Sequence, residues 1–329
     1  MTRKKIWKIS FVGILLILLI ICWANFIGFS GKKIGADFNS EHNAVWISHK
    51  WVGESVEDKD IERLVVTLKA NQIDTVFVHS GPFMSDGTVD VSTYEYAERF
   101  LEKARKYDKD IKYQAWLGQI RSSIDLSDPY VRNNIVKQSQ IFSMMIGFDG
   151  IHIDIEPVWD KDEDFIKLLK EIDEILPEDK KLSVALAEFI PKNLVYVMKA
   201  FKELNNYNSE TNYENVAKYA DRIVVMVYDL GFESDWFYRW IVREQTIRTS
   251  RLFDKNLGKE IFIAIPSYNE EKENFNPKIE NVENGMKGLI NGLNNSRMRL
   301  ENFAGVAIYS YWETDQSEWD TYYNLWIKE

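Results

Sequence analysis

From Asn43 to the end of the chain, short runs rich in β-branched and aromatic residues alternate with segments whose apolar residues recur at helical spacing. The runs are AVWISHKW (44–51), TVFVHSGPF (75–83), IKYQAWLG (111–118), GIHIDIEP (150–157), KLSVALAEF (181–189), RIVVMVYD (222–229), IFIAIPSY (261–268) and GVAIYSYWE (305–313). Each reads as a strand followed by a helix. After the first, Ile61, Leu64, Val65 and Leu68 fall at i, i+3, i+4 and i+7; after the fourth, Phe165, Leu168, Leu169 and Ile172 do the same. A last helix is expected near 316–327. The longest connection, 190–221, holds a helical piece at Leu194, Val197, Met198 and Phe201, then a polar loop, NNYNSETN. Eight βα units over 43–329 predict a (β/α)8 TIM barrel, a fold of about 250 residues or more with insertions. An open doubly wound sheet is the alternative, but no glycine-rich phosphate turn follows an early strand.

Ahead of this region, Ile9–Phe29 carries no charge and is long enough to cross a bilayer, and Arg3, Lys4, Lys5 and Lys8 precede it. By the positive-inside rule the expected organisation is a cytosolic tip (1–8), a transmembrane anchor (9–29), a linker (30–42) and an extracellular barrel (43–329) on a single-pass membrane protein. Secretion after signal cleavage near Ala24 is the alternative. The sole cysteine, Cys22, lies in the apolar run, so the folded part can form neither an internal disulfide nor a thiolate metal cage. Residues 1–33 hold six basic residues and no acid, which leaves 35 Lys and Arg against 51 Asp and Glu beyond them, a formal −16. Such acidity argues against nucleic acid as a partner.

The fourth run breaks the pattern of a buried strand. Side chains alternate along a strand, so Ile151, Ile153 and Ile155 share one face while His152, Asp154 and Glu156 share the other. If the isoleucines meet the helices, the polar trio points into the barrel, where unpaired charge is costly. Glu156 then emerges at the carboxyl end of the strand, the face on which barrel enzymes carry their chemistry.

The stretch DGIHIDIE, Asp149 to Glu156, resembles the DGxDxDxE signature on the fourth strand of glycoside hydrolase family 18, the chitinases and related N-acetylglucosaminidases. MVYD at 226–229 is similar to that family's sixth-strand MxYD, IAIPSY at 263–268 to its seventh-strand GIPxY, and Trp312 in GVAIYSYWE occupies the place of its eighth-strand tryptophan. The resemblance implies a retaining glycosidase acting on β-linked N-acetylglucosamine-containing glycans, with no cofactor or metal, in which the substrate's own acetamido group is the nucleophile. Glu156 would be the general acid. Asp154 would steer and stabilise the acetamido group, Tyr228 would hydrogen-bond it, and Trp312 would stack beneath the sugar. Asp149 belongs to the signature, and Trp116, Asp229 and Tyr268 are candidate substrate-binding residues.

His152 departs from the family pattern, which has an aspartate there; an imidazole in that place is expected to donate to Asp154 and modulate it. AWLGQ at 115–119 also departs from the family's small SxGG, so Trp116 should narrow or floor the cleft. The short connection after the seventh strand predicts no added lobe and an open site. Three other readings stand beside this one. A metal-dependent hydrolase would use His49, His79 and His152. A lectin-like barrel would bind glycan without cleaving it. A two-carboxylate glycosidase would pair Glu156 with Glu270 at about 5 Å.

Overall fold

The structure is a computed structural model that describes residues 33–189, 208–253, 258–270 and 274–329. Eight parallel strands close into a barrel in chain order. They are β1 (Asn43–Ile47), β2 (Ile73–His79), β3 (Lys112–Ile120), β4 (Gly150–Glu156), β5 (Lys181–Ala187), β6 (Arg222–Met226), β7 (Glu260–Pro266) and β8 (Phe303–Tyr309). All eight lie on the predicted runs, and most end sooner. Past Ile47 the chain turns into a short helix, Lys50–Gly53, and past Tyr309 the Ser310 carbonyl accepts from Glu313 and Thr314 N–H groups in a tight turn.

The alternation within the strands builds two apolar layers. Ile151, Ile153 and Ile155 of β4 join the layer between sheet and helices, where the predicted stripes of helices Asp58–Ala70 and Glu163–Asp173 are buried. Each such side chain removed from water contributes about 1.5–3 kcal/mol. The other layer fills the barrel with Trp46, Phe77, Trp116, Val224, Met226 and Phe262. The helix Glu163–Asp173 starts where the Asp162 carboxylate accepts the Phe165 N–H at 3.0 Å, while Arg121 pairs with the same carboxylate at 3.1 Å.

The predicted helical piece at 194–201 lies outside the described residues. Part of the expected polar loop is instead a helix, Glu210–Val216, because Ser209 caps it and Tyr213 and Val216 find apolar partners. Among the described residues no extra sheet is inserted between β7 and the helix Val282–Leu293. The expected anchor, 9–29, also lies outside the described residues, among which no helix is long and apolar enough to cross a membrane.

Part of the expected linker belongs to the folded body. Lys33 is tied to Asn294 in both directions, its N–H donating to Oδ1 at 3.0 Å and its carbonyl accepting from Nδ2 at 2.8 Å. Gly35 lies so close to the last turn that a Cβ there would sit 2.0 Å from the Leu325 carbonyl oxygen. At the amino end of the strands, the fully buried Asn43 accepts from Val306 N–H at 3.1 Å and Trp326 Nε1 at 2.9 Å, and donates to Asn39 Oδ1 and the Gln72 carbonyl at 3.0 Å each. Removal of that amide strands several buried polar groups. Asn43→Ala is therefore expected to cost about 3 kcal/mol, read as a lower urea midpoint with an unchanged slope. An unchanged midpoint would show that water takes over these bonds.

Candidate active site

β3 and β4 run side by side with Trp116 opposite His152, Gly118 opposite Asp154 and Ile120 opposite Glu156. Their inward residues, with His79 and Pro82, line a cleft of about 270 Å³ at the carboxyl end of the barrel. Asp154 and Glu156 are half-buried, open only toward the mouth. The Trp116 indole N–H donates to Asp154 Oδ2 at 2.8 Å. No donor among the described residues reaches Asp154 Oδ1 or Glu156 Oε1.

The two carboxyls stand two residues apart on one strand face and act on each other's hold on a proton. Burial raises Glu156 well above the ordinary carboxylate range, and the neighbouring Asp154 carboxylate and the fields of Asp229 and Glu188 add to the rise. Asp154 is raised by burial, against the lowering effects of its bond from Trp116 and of the Glu156 carboxyl. The pair therefore keeps a proton at pH values where an exposed carboxyl has lost it.

His152 does not serve Asp154 as expected. Trp46 Nε1, which can only donate, points at His152 Nε2 at 3.2 Å. The imidazole proton must then sit on Nδ1, which lies 2.7 Å from Ser183 Oγ, and that hydroxyl donates to Gln114 Oε1 at 2.5 Å. Phe77 stacks on the ring at 3.9 Å. Burial pushes His152 down to about 3, so it stays neutral, with both nitrogens engaged below the acid pair.

An aromatic wall faces the pair, centred on Tyr309, which the sequence analysis passed over. Its ring stacks on Tyr228 at 5.5 Å and meets Trp46, Tyr268, Trp312 and Trp116 edge-on at 5.5, 5.9, 5.8 and 6.3 Å. Tyr309 ends β8 on its inward face, and Trp312 stands in the following turn, 43% exposed and edge-on to Tyr309. Ala307 faces inward with Tyr309, while Val306 and Ile308 face the helices. The charges of Asp154 and Glu156 add to burial in raising Tyr228 and Tyr309 above the ordinary phenol range, which places both hydroxyls within reach of the pair's field.

Other expected residues lie further out. Asp229 is exposed in a left-handed conformation, φ 59°, and accepts from the Tyr268 hydroxyl, while the Tyr268 ring stacks on Phe275 at 4.0 Å. Asp149 is at the opposite end of β4, bound to Arg105 at 2.9 Å and accepting the Tyr113 N–H at 2.9 Å. Asp154 and Glu156 lie five and seven residues further along the strand, at about 3.3 Å each. Asp149 thus belongs to the barrel's frame and not to its chemistry.

The rival site sets do not assemble. His49 and His79 stand 5.9 Å apart, ring to ring, but His152 has both nitrogens committed elsewhere. Among the described residues no group of three or more His, Cys, Asp and Glu could hold a metal ion. Glu270 is exposed past β7, and the carboxyls whose fields reach Glu156 are Asp154, Asp229 and Glu188. Glu188, just past β5, is raised by its own burial to about 7 and was not foreseen.

A family profile described as glycosyl hydrolases family 18 matches residues 49–324, which hold β2 to β8 and the acid pair. The chain belongs to that family. It is a chitinase-like glycosidase. A search of curated protein sequences found no match. Among solved structures the chain is similar to the spore cortex-lytic enzyme SleL of Bacillus cereus, with 12% identity, TM-score 0.59, and coverage of 85% of this chain and 73% of that one. It is similar to a class V chitinase of Pseudomonas fluorescens Pf-5, with 12% identity, TM-score 0.57, and coverage of 87% and 99%. A plant class V chitinase mutant from Cycas revoluta, in complex with (GlcNAc)3, matches with 13% identity, TM-score 0.57, and coverage of 87% and 99%. At these identities the structural likeness concerns the fold.

For this family 18 member, Asp149→Asn separates frame from chemistry. The variant should lose about 1 kcal/mol of stability and keep kcat within about twofold of the parent; a hundredfold loss of kcat in folded protein would return Asp149 to the site.

Proposed function

We propose that the chain is a membrane-anchored, exported glycosidase that cleaves β-linked N-acetylglucosamine-containing glycans with retention of configuration. The observation that carries this reading is the acid pair: Glu156 and Asp154 side by side on one strand face in the cleft at the mouth of the barrel, with Glu156 raised well above the ordinary carboxylate range and an aromatic cluster beside them. The binding of (GlcNAc)3 by the Cycas revoluta relative supports the substrate class.

In the proposed mechanism the 2-acetamido sugar lies against Tyr309, whose flat ring suits the apolar face of a pyranose. Glu156 gives its proton to the glycosidic oxygen as the bond to the anomeric carbon breaks. The acetamido carbonyl oxygen of the same sugar attacks that carbon, so no protein carboxylate need act as nucleophile. Asp154, ionised throughout, accepts the acetamido N–H and offsets the positive charge of the oxazolinium. Tyr228 donates to the acetamido oxygen. Water then attacks the anomeric carbon from the side of departure as the bond from that carbon to the acetamido oxygen breaks, Glu156 takes the water's proton, and the pair returns to its starting state. The anchor at 9–29 would hold this chemistry outside the cell, where a −16 domain disperses freely among neutral glycans.

The full chain is expected to release reducing ends from N-acetylglucosamine oligomers and not from glucose oligomers lacking the acetamido group. Glu156→Gln should lower kcat by about 10²–10⁴-fold. Equal activity in parent and variant would remove Glu156 from the acid role, and equal rates on both oligomers would remove the substrate-assisted step.

The alkaline limb of the rate profile reports loss of the pair's last proton. Glu188, ionised above about 7, opposes that loss through its field on Glu156. Glu188→Gln should therefore shift the alkaline limb down by a few tenths of a pH unit, measured as kcat/KM against pH; an upward shift would contradict the sign.

A further inference from the structure

We propose that Trp116 is the positioning residue of the acid pair, fixing through its indole N–H which carboxyl holds the proton before substrate arrives. The inference rests on the reading of Glu156 as proton donor and adds the device that keeps it loaded.

Asp154 has two oxygens to satisfy. Oδ2 takes the Trp116 indole N–H at 2.8 Å, and Oδ1 has no other donor among the described residues. The indole N–H is a donor only, unable to accept a proton or to exchange roles as a hydroxyl or carboxyl at that place could. It therefore favours the ionised form of Asp154 and leaves the shared proton on Glu156. The residue directly below cannot substitute, because the His152 nitrogens are spent on Trp46 and Ser183.

The backbone is shaped to this contact. Gly118 lies two residues beyond Trp116 on the same face of β3, opposite Asp154. A Cβ at Gly118 would stand 2.8 Å from the Asp154 carbonyl oxygen and 3.4 Å from Trp116 Nε1. The edge of His79 braces the indole from β2, ring centroids 4.6 Å apart. Titratable and charged groups stand around the pair on the other walls as well: Glu188 after β5, Tyr228 and Asp229 after β6, Tyr268 after β7 and Tyr309 on β8. None of these is a hydrogen-bond donor to Asp154 in the structure. The fields of Glu188 and Asp229 raise Glu156, whereas Trp116 is the neighbour that lowers Asp154 by donating to it.

Trp116→Phe in the full chain keeps an aromatic ring and deletes the N–H. Without the donor Asp154 becomes a weaker acid, so the acid limb of kcat/KM should move up by about one pH unit, with kcat reduced about tenfold and KM within about threefold of the parent. If Trp116 served only as a floor for the sugar, KM would rise and the limb would stay, and that result would overturn the proposal.

A second measurement needs neither turnover nor a folded variant. In the unmutated chain labelled with ¹⁵N-tryptophan and ¹³C-carboxyl aspartate, the Trp116 indole resonance should titrate with the same midpoint as the Asp154 carboxyl. An indole resonance that ignores that titration would refute the contact. If the parent shows no hydrolysis of N-acetylglucosamine oligomers while these resonances titrate together, the proposed reaction fails and the positioning of the pair stands.

Discussion

Two carboxyls two residues apart on one strand face, enclosed by a barrel wall, cannot both be ionised without a cation to meet them. Among the described residues no cation is paired with either. Burial and mutual repulsion favour a shared proton, and the neighbouring elements bear on which carboxyl holds it. β4 sets the spacing of Asp154 and Glu156, β3 brings the indole to Asp154, and the ends of β5 and β6 add the negative fields of Glu188 and Asp229. A catalytic acid near neutral pH follows from ordinary burial and like-charge repulsion.

Beneath the pair, the barrel interior is polar yet neutral. The chain of bonds from Trp46 through His152 and Ser183 to Gln114 Oε1 commits both imidazole nitrogens, with Phe77 stacked on the ring. Bonds made within a buried network offset the cost of enclosing its polar groups. Above it, Asp154 Oδ1 and Glu156 Oε1 stand without donors among the described residues, at the cleft where substrate would meet them.

The barrel was legible in the sequence because alternation within each strand and helical spacing between strands leave little freedom once eight units are counted. The acid pair was legible because ionisable residues on the inward parity of a buried strand have few structural uses. What misled was the end of β8. YSYW offers three aromatics in a row of four, and the strand's termination at Tyr309 depends on the Ser310 turn, a tertiary outcome that propensity does not register. Asp149 was swept into the site by the motif that contains it, although its position before the strand places it at the far end. Trp116 as donor, and Glu188 as a neighbour in charge, are cross-strand relations that no single stretch of sequence spells out.

The ties between Lys33 and Asn294, and the fit of Gly35 beneath Leu325, fix the direction from which the polypeptide joins the barrel. Asn294 follows the helix Val282–Leu293, which returns the chain to the foot of the strands, so Lys33 is fastened to the underside. Lys33 thus sits at the foot of a bowl whose rim, carrying the acid pair, is at the opposite end.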